Sequence, residues 1–548
     1  MPISDCRTRL YSLSIIAASF LYIHYGFWKR WDLPIYDGVY YFERALRWPV
    51  PDLFLNRQWS PLYIVFYSNF HWLLAGFDPF WVYAIHRLTV LGLIAFAFWR
   101  ICLRFYDWWL CTVATALLIG NATLLDNFHV VHAAGLLFTL AVLWVASGDR
   151  PGPYLLPGLA LCGVFMRPEF AVAFIVLLLW LALKLAGGNL ETWKPGGKAG
   201  LCLLAVLGLW AISWPASGHT GRAFQAFSQQ SARAAAGENS VAAGFQHRER
   251  SAGIYGGAET LEEALWANPR AFSRTIAFNL LGLPSAWVRM LSHRGGSPAS
   301  APLSLLVLML AAAGTSGARR RPRASFWICA AAFAMAGLTA AVVIGPATLY
   351  LLPTLPLIYF GTAYLVTEYG STLISPHLRG LVALPVGLGL VLVAGLAGSS
   401  MKSKGQPFLR FSKELAAHAS PQHPVRLWAY SPESYCLWAH QAGRLCSGIG
   451  PEALNHNPDP RAVLEAQEIS ALVIDVAMRQ VAVELNHQDL VNFEADPAPY
   501  GFQLVDETGG GLLEELLASL PWDKTARLYL RVEPQHQKMG GIGSGKKS

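Results

Sequence analysis

Long apolar runs separated by short polar breaks fill the first four hundred residues. Runs near the ~20 residues needed to cross a bilayer lie at about 10–28, 88–104, 107–124, 130–147, 154–166, 169–186, 199–215, 301–316, 325–345, 347–367 and 379–398. They predict a mainly α, polytopic membrane bundle of about eleven transmembrane helices. From about 401 the pattern changes. Strand-like runs at Arg426–Tyr430, Ala471–Asp475 and Arg527–Val532 alternate with helical patterns at Pro460–Gln467 and Gly511–Leu520, which predicts a small soluble α/β domain. The expected organisation is a transmembrane domain over 1–398 with external loops 29–86 and 216–300, a soluble domain over 399–535, and a disordered Gly/Ser/Lys-rich tail over 536–548. Gly543-Ser-Gly-Lys546 lacks the strand and helix that a phosphate loop needs.

One run, Pro61 to Phe77, is ambiguous, and loop cations decide it. If it does not cross, one side collects Arg7, Arg9, Arg100, Arg104, Arg150, Lys184, Lys194, Lys198, Arg319 to Arg323 and Arg379. That side is then cytoplasmic. If it crosses, Arg319 to Arg323 falls outside. The run is therefore expected to lie along the outer surface. The long first loop, 121–129, 216–300 and everything after 399 then face outward. In the 216–300 loop, Glu259 to Ala267 reads as helical and Phe272 to Leu291 as an amphipathic helix on the membrane.

Composition agrees. Of 548 residues 54% are hydrophobic and 14% charged, against about 25% charged in soluble domains. The 20 tryptophans suit interfacial belts. The +8 charge lies in short loops where it sets topology, so nucleic acid is not an expected partner. Leu10 to Trp28 is long and has no small-residue cleavage site, so it reads as a first spanning helix. Six of the eight cysteines fall at the cytoplasmic terminus or in apolar runs, while Cys436 and Cys446 share the external domain and pair plausibly as a disulfide.

Candidate chemistry gathers on the outer face. As a helix from about Asp37, the segment Asp37-Gly-Val-Tyr-Tyr41 places Asp37, Tyr41 and Arg44 on one face with Tyr40 beside them. A carboxylate held at a membrane surface beside cations can act as a general base on a hydroxyl. Further groups are Arg57, His86-Arg87 where the second helix is expected to begin, Asp126 in the next outer loop, and Arg167-Pro-Glu169. The basic residues Arg222, His247, Arg248 and Arg250 of the 216–300 loop add charge. Cations at an outer leaflet suit a phosphate-bearing lipid. Each group also has a plain alternative: an aromatic-belted linker, a helix anchor at Arg87, a wet turn at Asp126, mutual pairing of Arg167 and Glu169, and interface histidines at His129 and His132.

The ordered set of these motifs resembles the GT-C membrane glycosyltransferases, such as protein mannosyltransferases and the lipid A aminoarabinose transferase. Asp37 matches the superfamily's first-loop catalytic acid, and Ser60-Pro-Leu-Tyr63 is similar to its basic-Pro-Pro-Leu element, with Ser60 in place of a Lys. Arg87 and Asp126 match the later Arg and the second-loop acid. Leu349-Tyr-Leu-Leu-Pro-Thr-Leu-Pro356 is similar to the Arg-Tyr-Leu-Leu-Pro-x-x-Pro run, with Leu349 in place of Arg. The resemblance implies inverting sugar transfer from a polyprenyl-phosphate donor to an extracytoplasmic glycan, lipid or protein acceptor. Asp37 would be the base, Asp126 would orient acceptor or sugar, and Arg57, Arg87 and Arg167 would stabilise the departing phosphate. A divalent metal is allowed without being implied, and no other cofactor is expected. The expected location is a bacterial inner membrane, with the site and C-terminal domain in the periplasm.

Two other classes compete: a flippase for a lipid-linked saccharide, and a non-catalytic envelope-assembly protein. A flippase needs polar residues along the mid-membrane path and commonly symmetric halves. Here the polar residues crowd one face and no internal repeat shows.

Overall fold

A computed structural model describes residues 3–25, 27–29, 31–32, 39, 41–42, 60–125, 129–148, 152, 154–186, 195–213, 222–236, 247–292, 300–315, 320–369, 406–420, 422, 424–441, 445–450, 460–484, 488–509 and 525–532. The chain divides into two compact units, Met1–Lys404 and Gly405–Ser548.

The first unit is helical. It contains α1 (Ile3–His24), α2 (Pro61–Leu73), α3 (Pro79–Phe105), α4 (Trp108–Ile119), the single turn α5 (Ala122–Leu125), α6 (Val130–Ala146), α7 (Leu155–Val164), α8 (Phe170–Ala186) and α9 (Pro195–Ser213). After these come α10 (Arg222–Ala236), α11 (His247–Tyr255), α12 (Leu261–Ala267), α13 (Pro269–Leu291), α14 (Ser300–Ala313), α15 (Ala324–Val343) and α16 (Leu355–Tyr369). Helix α3 starts where the Asp78 carboxylate accepts the Trp81 amide at 3.0 Å, with Pro79 in the first turn. This corrects the expected start at His86-Arg87: both residues lie two turns inside the helix and are buried. At 13 residues, about 20 Å, α2 is too short to span the ~30 Å hydrocarbon core alone.

Among the described helices, α3 and α15 are long and apolar enough to cross a membrane by themselves, and α4, α6, α7, α8 and α14 are shorter apolar helices. The run 379–398 lies outside the described residues. The bundle core runs from Ile16 through Phe98, Leu140, Phe170 and Phe333 to Phe360. On the other faces of α8 and α9, Leu183 and Leu209 are 73% and 70% exposed. Helices that bury one apolar face and present leucine on the other are solvated by lipid. Inside the bundle, Trp99 Nε1 donates to Ser12 Oγ at 2.9 Å and Ser12 Oγ meets Thr112 Oγ1 at 2.7 Å, tying α3, α1 and α4. Such interhelical bonds contribute roughly 0.6–2 kcal/mol each in a membrane.

The 216–300 loop folds into more helix than expected. Helices α10 and α11 join α12 and α13 around Phe224, Phe227, Tyr255 and Ala264. Thr260 caps α12 by accepting the Glu263 amide at 3.1 Å, and Asn268 caps α13 by accepting the Ala271 amide at 3.0 Å.

The second unit holds α17 (Pro407–His418), β1 (Val425–Trp428), α18 (Pro432–Gln441), β2 (Cys446–Ile449), α19 (Pro460–Ala466), β3 (Ala471–Ile474), α20 (Val476–Glu484), α21 (Gln488–Ala495), β4 (Phe502–Gly509) and β5 (Thr525–Arg531). The sheet order is β2-β1-β3-β5-β4; β1 pairs in parallel with β2 and β3, while β5 runs antiparallel to β3 and β4. Trp428, Leu472, Met478, Phe493 and Tyr529 pack one core. The carboxylate of Glu494 binds both Arg479 and Arg527, and Arg527 Nε reaches Glu507 at 3.2 Å. Cys436 in α18 is bonded to Cys446 in β2 across a Cα–Cα distance of 5.4 Å. The helix expected over Gly511–Leu520 falls outside the described residues. Strands β2 and β4 were not expected, because both lie at sheet edges where most side chains face outward and no apolar alternation marks them.

Candidate functional site

Arg167 sits in the turn between α7 and α8. Its amide donates to the Gly163 carbonyl at 2.8 Å, and its own carbonyl receives the Phe170 amide at 2.9 Å. The turn forms because Pro168 cannot continue the ladder of α7. Arg167 Nε donates to Glu169 Oε1 at 2.7 Å, and Nη2 lies 2.5 Å from the same oxygen. The pair is mostly buried, with side-chain exposures of 10% and 14%. Gly135 of α6 leaves room for it: a Cβ there would lie 3.1 Å from Arg167 Cγ.

Four distant segments close around this pair. The turn before α16 brings Tyr350, whose ring centre is 5.9 Å from the Arg167 guanidinium carbon. The start of α6 brings His129 and His132, with ring centres 4.9 Å apart and His132 5.0 Å from Tyr350. The first loop brings Tyr41, 1% exposed, with its ring 6.5 Å from His129 and edge-on to Tyr63 at 5.6 Å. Ser60, the left-handed cap of α2, hydrogen-bonds the Tyr41 side chain. The Leu62 amide reaches the Phe165 carbonyl at 3.2 Å and fixes α2 to the end of α7. Burial pushes the Tyr41 phenol above its ordinary value, with Arg167 and the Ser60 hydrogen bond acting against that shift. The phenol therefore stays protonated at neutral pH.

Arg87 lies elsewhere, with different partners. Its Nη2 donates to the Leu125 carbonyl, directly before Asp126, and its guanidinium carbon lies 4.0 Å over the Trp31 ring. Tyr83 adds a side-chain hydrogen bond. Arg87 thus fastens the start of the first loop to the end of α5. Asn121 supports the same corner: its Nδ2 donates to the Met290 carbonyl at 2.6 Å, and the Ala122 amide donates to the Ser292 carbonyl at 2.9 Å. The end of α13 is thereby tied to α5.

Of the sequence candidates, Tyr41, Arg167 and Glu169 come together, and Arg87 is placed at the neighbouring corner. Asp37, Tyr40, Arg44, Arg57 and Asp126 lie outside the described residues, as do the side chains of Arg222, His247, Arg248 and Arg250. Asn121 carried no sequence signal, because a buried asparagine at a helix end looks like any polar loop residue. Tyr350 was visible only within the Leu349–Pro356 run. No group of three or more His, Cys, Asp or Glu side chains suited to a metal occurs among the described residues.

No protein-family model matches the sequence, and no curated protein matches it. Two solved structures are similar in fold. One is the archaeal oligosaccharyltransferase AglB from Archaeoglobus fulgidus in complex with an inhibitory peptide and a dolichol-phosphate. It is 14% identical, with 87% of this chain and 72% of that chain covered at a TM-score of 0.48. The other is the apo form of the Archaeoglobus fulgidus oligosaccharyltransferase, 13% identical, with 86% and 71% covered at a TM-score of 0.45.

Proposed function

We propose that the chain is a membrane glycosyltransferase of the GT-C type that moves a sugar from a polyprenyl-phosphate donor to an acceptor hydroxyl outside the cytoplasm. The observation that carries this is the meeting of Tyr41, Ser60, Arg167–Glu169 and Tyr350, each from a different element of the ordered motif set, in one buried cluster. Among the described residues of the first unit, the buried arginines are Arg87 and Arg167, and their partners come from loops and turns: Trp31 and Leu125 for Arg87, Glu169 and Tyr350 for Arg167. That favours an enzyme over a flippase.

In the proposed reaction the acceptor oxygen attacks the anomeric carbon and the bond from that carbon to the phosphate oxygen breaks, inverting the centre. The acceptor proton passes to the Asp37 carboxylate, four residues before Tyr41 in the sequence. The bonding pair leaves with the polyprenyl phosphate, whose new charge Arg167 stabilises. Arg167 lies over Tyr350, next to Leu349, so it supplies a cation beside the position where the GT-C run carries its Arg. Asp126 orients the acceptor or sugar, with its loop held through Arg87 and Asn121. Arg57 adds charge for the phosphate, and Tyr40 and Arg44 complete the substrate contacts of the first loop. The enzyme works at the periplasmic face of a bacterial inner membrane.

The test is transfer of radiolabelled sugar from a panel of polyprenyl-phosphate donors in membranes, comparing wild type with Asp37→Asn and Arg167→Gln at matched expression. Loss of transfer in both variants supports the assignment. Equal transfer by wild type and Asp37→Asn removes Asp37 as the base.

A further inference from the structure

Between α2 and α3 lies a second polar group that the reaction above does not use. Tyr63 and Tyr67, one turn apart on α2, stack with ring centres 5.9 Å apart and planes 15° apart. His86 of α3 sits against them, 4.3 Å from Tyr67 and 5.8 Å from Tyr63, with Phe66 and Phe70 at 5.8 and 5.5 Å. All three polar side chains are at most 2% exposed. Both phenol oxygens and both ring nitrogens of His86 are buried with no hydrogen-bond partner among the described residues.

Four such atoms in one seam are costly. Each buried polar group left unmade costs on the order of 1–3 kcal/mol, and buried groups in native proteins are nearly always satisfied. Local alternatives do not serve here. Ser68 on the same helix satisfies itself by donating to the Ile64 carbonyl at 2.7 Å, and His24 and His418 each reach the carbonyl four residues back, but Tyr63, Tyr67 and His86 make no such bond. Two stacked aromatic faces, two hydroxyls and an imidazole offer apolar surface together with convergent donors and acceptors. The seam adjoins the cluster above, because Tyr63 also packs against Tyr41.

We propose that the α2–α3 seam is a binding subsite for one pyranose ring, whose apolar face lies on Tyr63 and Tyr67 and whose hydroxyls bond their phenols and His86. The choice of a sugar rests on the glycosyltransferase assignment; the demand for a hydroxyl-rich ligand rests on the four unsatisfied atoms. Admitting the ring requires α2 to lift from α3. The helix is suited to this, since it packs along one face and exposes Trp72 and Leu73 at its far end.

The test uses the full chain in nanodiscs, titrated with methyl glycosides of glucose, galactose, mannose, N-acetylglucosamine and arabinose and read by saturation-transfer NMR. Saturable binding of at least one glycoside is expected, weakened roughly 3- to 10-fold by Tyr67→Phe and by His86→Phe, the loss of one hydrogen bond each. Ser68→Ala is expected to bind as wild type does. Both binding variants should melt no lower than wild type, since Tyr67→Phe deletes one polar atom and His86→Phe two, none with a hydrogen-bond partner among the described residues. Absence of saturable binding, or binding unchanged in both variants, overturns the subsite. Glycoside binding by a wild type that transfers no sugar would refute the transferase assignment and leave the subsite standing. Transfer with both substrate KM values unchanged in the two variants would do the reverse.

Discussion

Arg167 and Glu169 close an ion pair across a single proline, with the guanidinium held at 2.7 Å by a carboxylate from its own turn. The carboxylate satisfies part of the fork and leaves the rest facing Tyr350 and Tyr41. Removing Glu169 alone strands a buried cation, so Glu169→Ala should destabilise the first unit by about 3 kcal/mol. The double variant Arg167→Met/Glu169→Leu should recover most of that and transfer no sugar. A melting series on the two single variants and the double variant measures this, and a double variant that melts no higher than Glu169→Ala would argue against the pair.

Arg87→Lys should lower kcat for transfer by roughly ten- to a hundredfold with little change in KM. A lysine cannot both stack on Trp31 and reach the Leu125 carbonyl with a planar fork. The residue acts through the loops it joins, so Trp31→Leu should show the same kcat loss in weaker form. A rise in KM with kcat intact would instead point to direct phosphate contact.

Gly337→Ala should displace the turn that carries Tyr350. A Cβ on Gly337 would sit 2.5 Å from the Tyr350 carbonyl oxygen, which is backbone and has no rotamer to yield. Overpacking of this kind costs about 1–3 kcal/mol. Both melting temperature and transfer should fall, and a variant indistinguishable from wild type would show that the turn moves freely.

The second unit should respond to pH through Asp475. The carboxyl is fully buried, and burial pushes it up from 3.8 to about 6, despite amide bonds from Met478 and Ala477 and the nearby Arg479. The folded form therefore binds the proton more tightly than the unfolded form does. The Asp475 contribution to stability is lowest above pH 6 and rises as pH falls from about 6 towards 4, by about 3 kcal/mol at 1.4 kcal/mol per pKa unit. Hydrogen exchange of the β3 and α20 amides in the full chain, corrected for intrinsic rates, should slow at pH 5 relative to pH 7. Asp475→Asn should erase most of that difference while keeping the cap on Met478.

Most helices of the first unit were legible because a long apolar run satisfies its backbone groups within itself by coiling into a helix. The Arg167 turn was legible for the same reason: charges and a proline interrupt an apolar run. The fate of Arg87 was not, since a cation at an apparent loop boundary reads as an anchor until Asp78-Pro79 is recognised as the true start of α3. Helix α10 was readable in principle, since Phe224 and Phe227 share one apolar face, whereas α11 carries little periodicity and is held by Tyr255 packing against that face. Edge strands β2 and β4 give too little alternation to be seen without their neighbours. The disulfide was readable from compartment logic and spacing, whereas the placement of Tyr350 against Arg167 depends on tertiary packing that no short window contains.

The cluster around Arg167 has a consequence for how the protein is made. Its members span the chain from Tyr41 to Tyr350, so a nascent chain threaded into the membrane in order carries Tyr41, Ser60, His129 and Arg167 long before their last neighbour emerges. Over that interval the guanidinium lacks Tyr350, while Glu169 already stands beside it. Their adjacency across one proline gives a partially made chain a ready counter-ion, and the cluster is complete only once the turn before α16 arrives. Truncation between Glu169 and Tyr350 thus yields a chain with a paired arginine and an unfinished cluster.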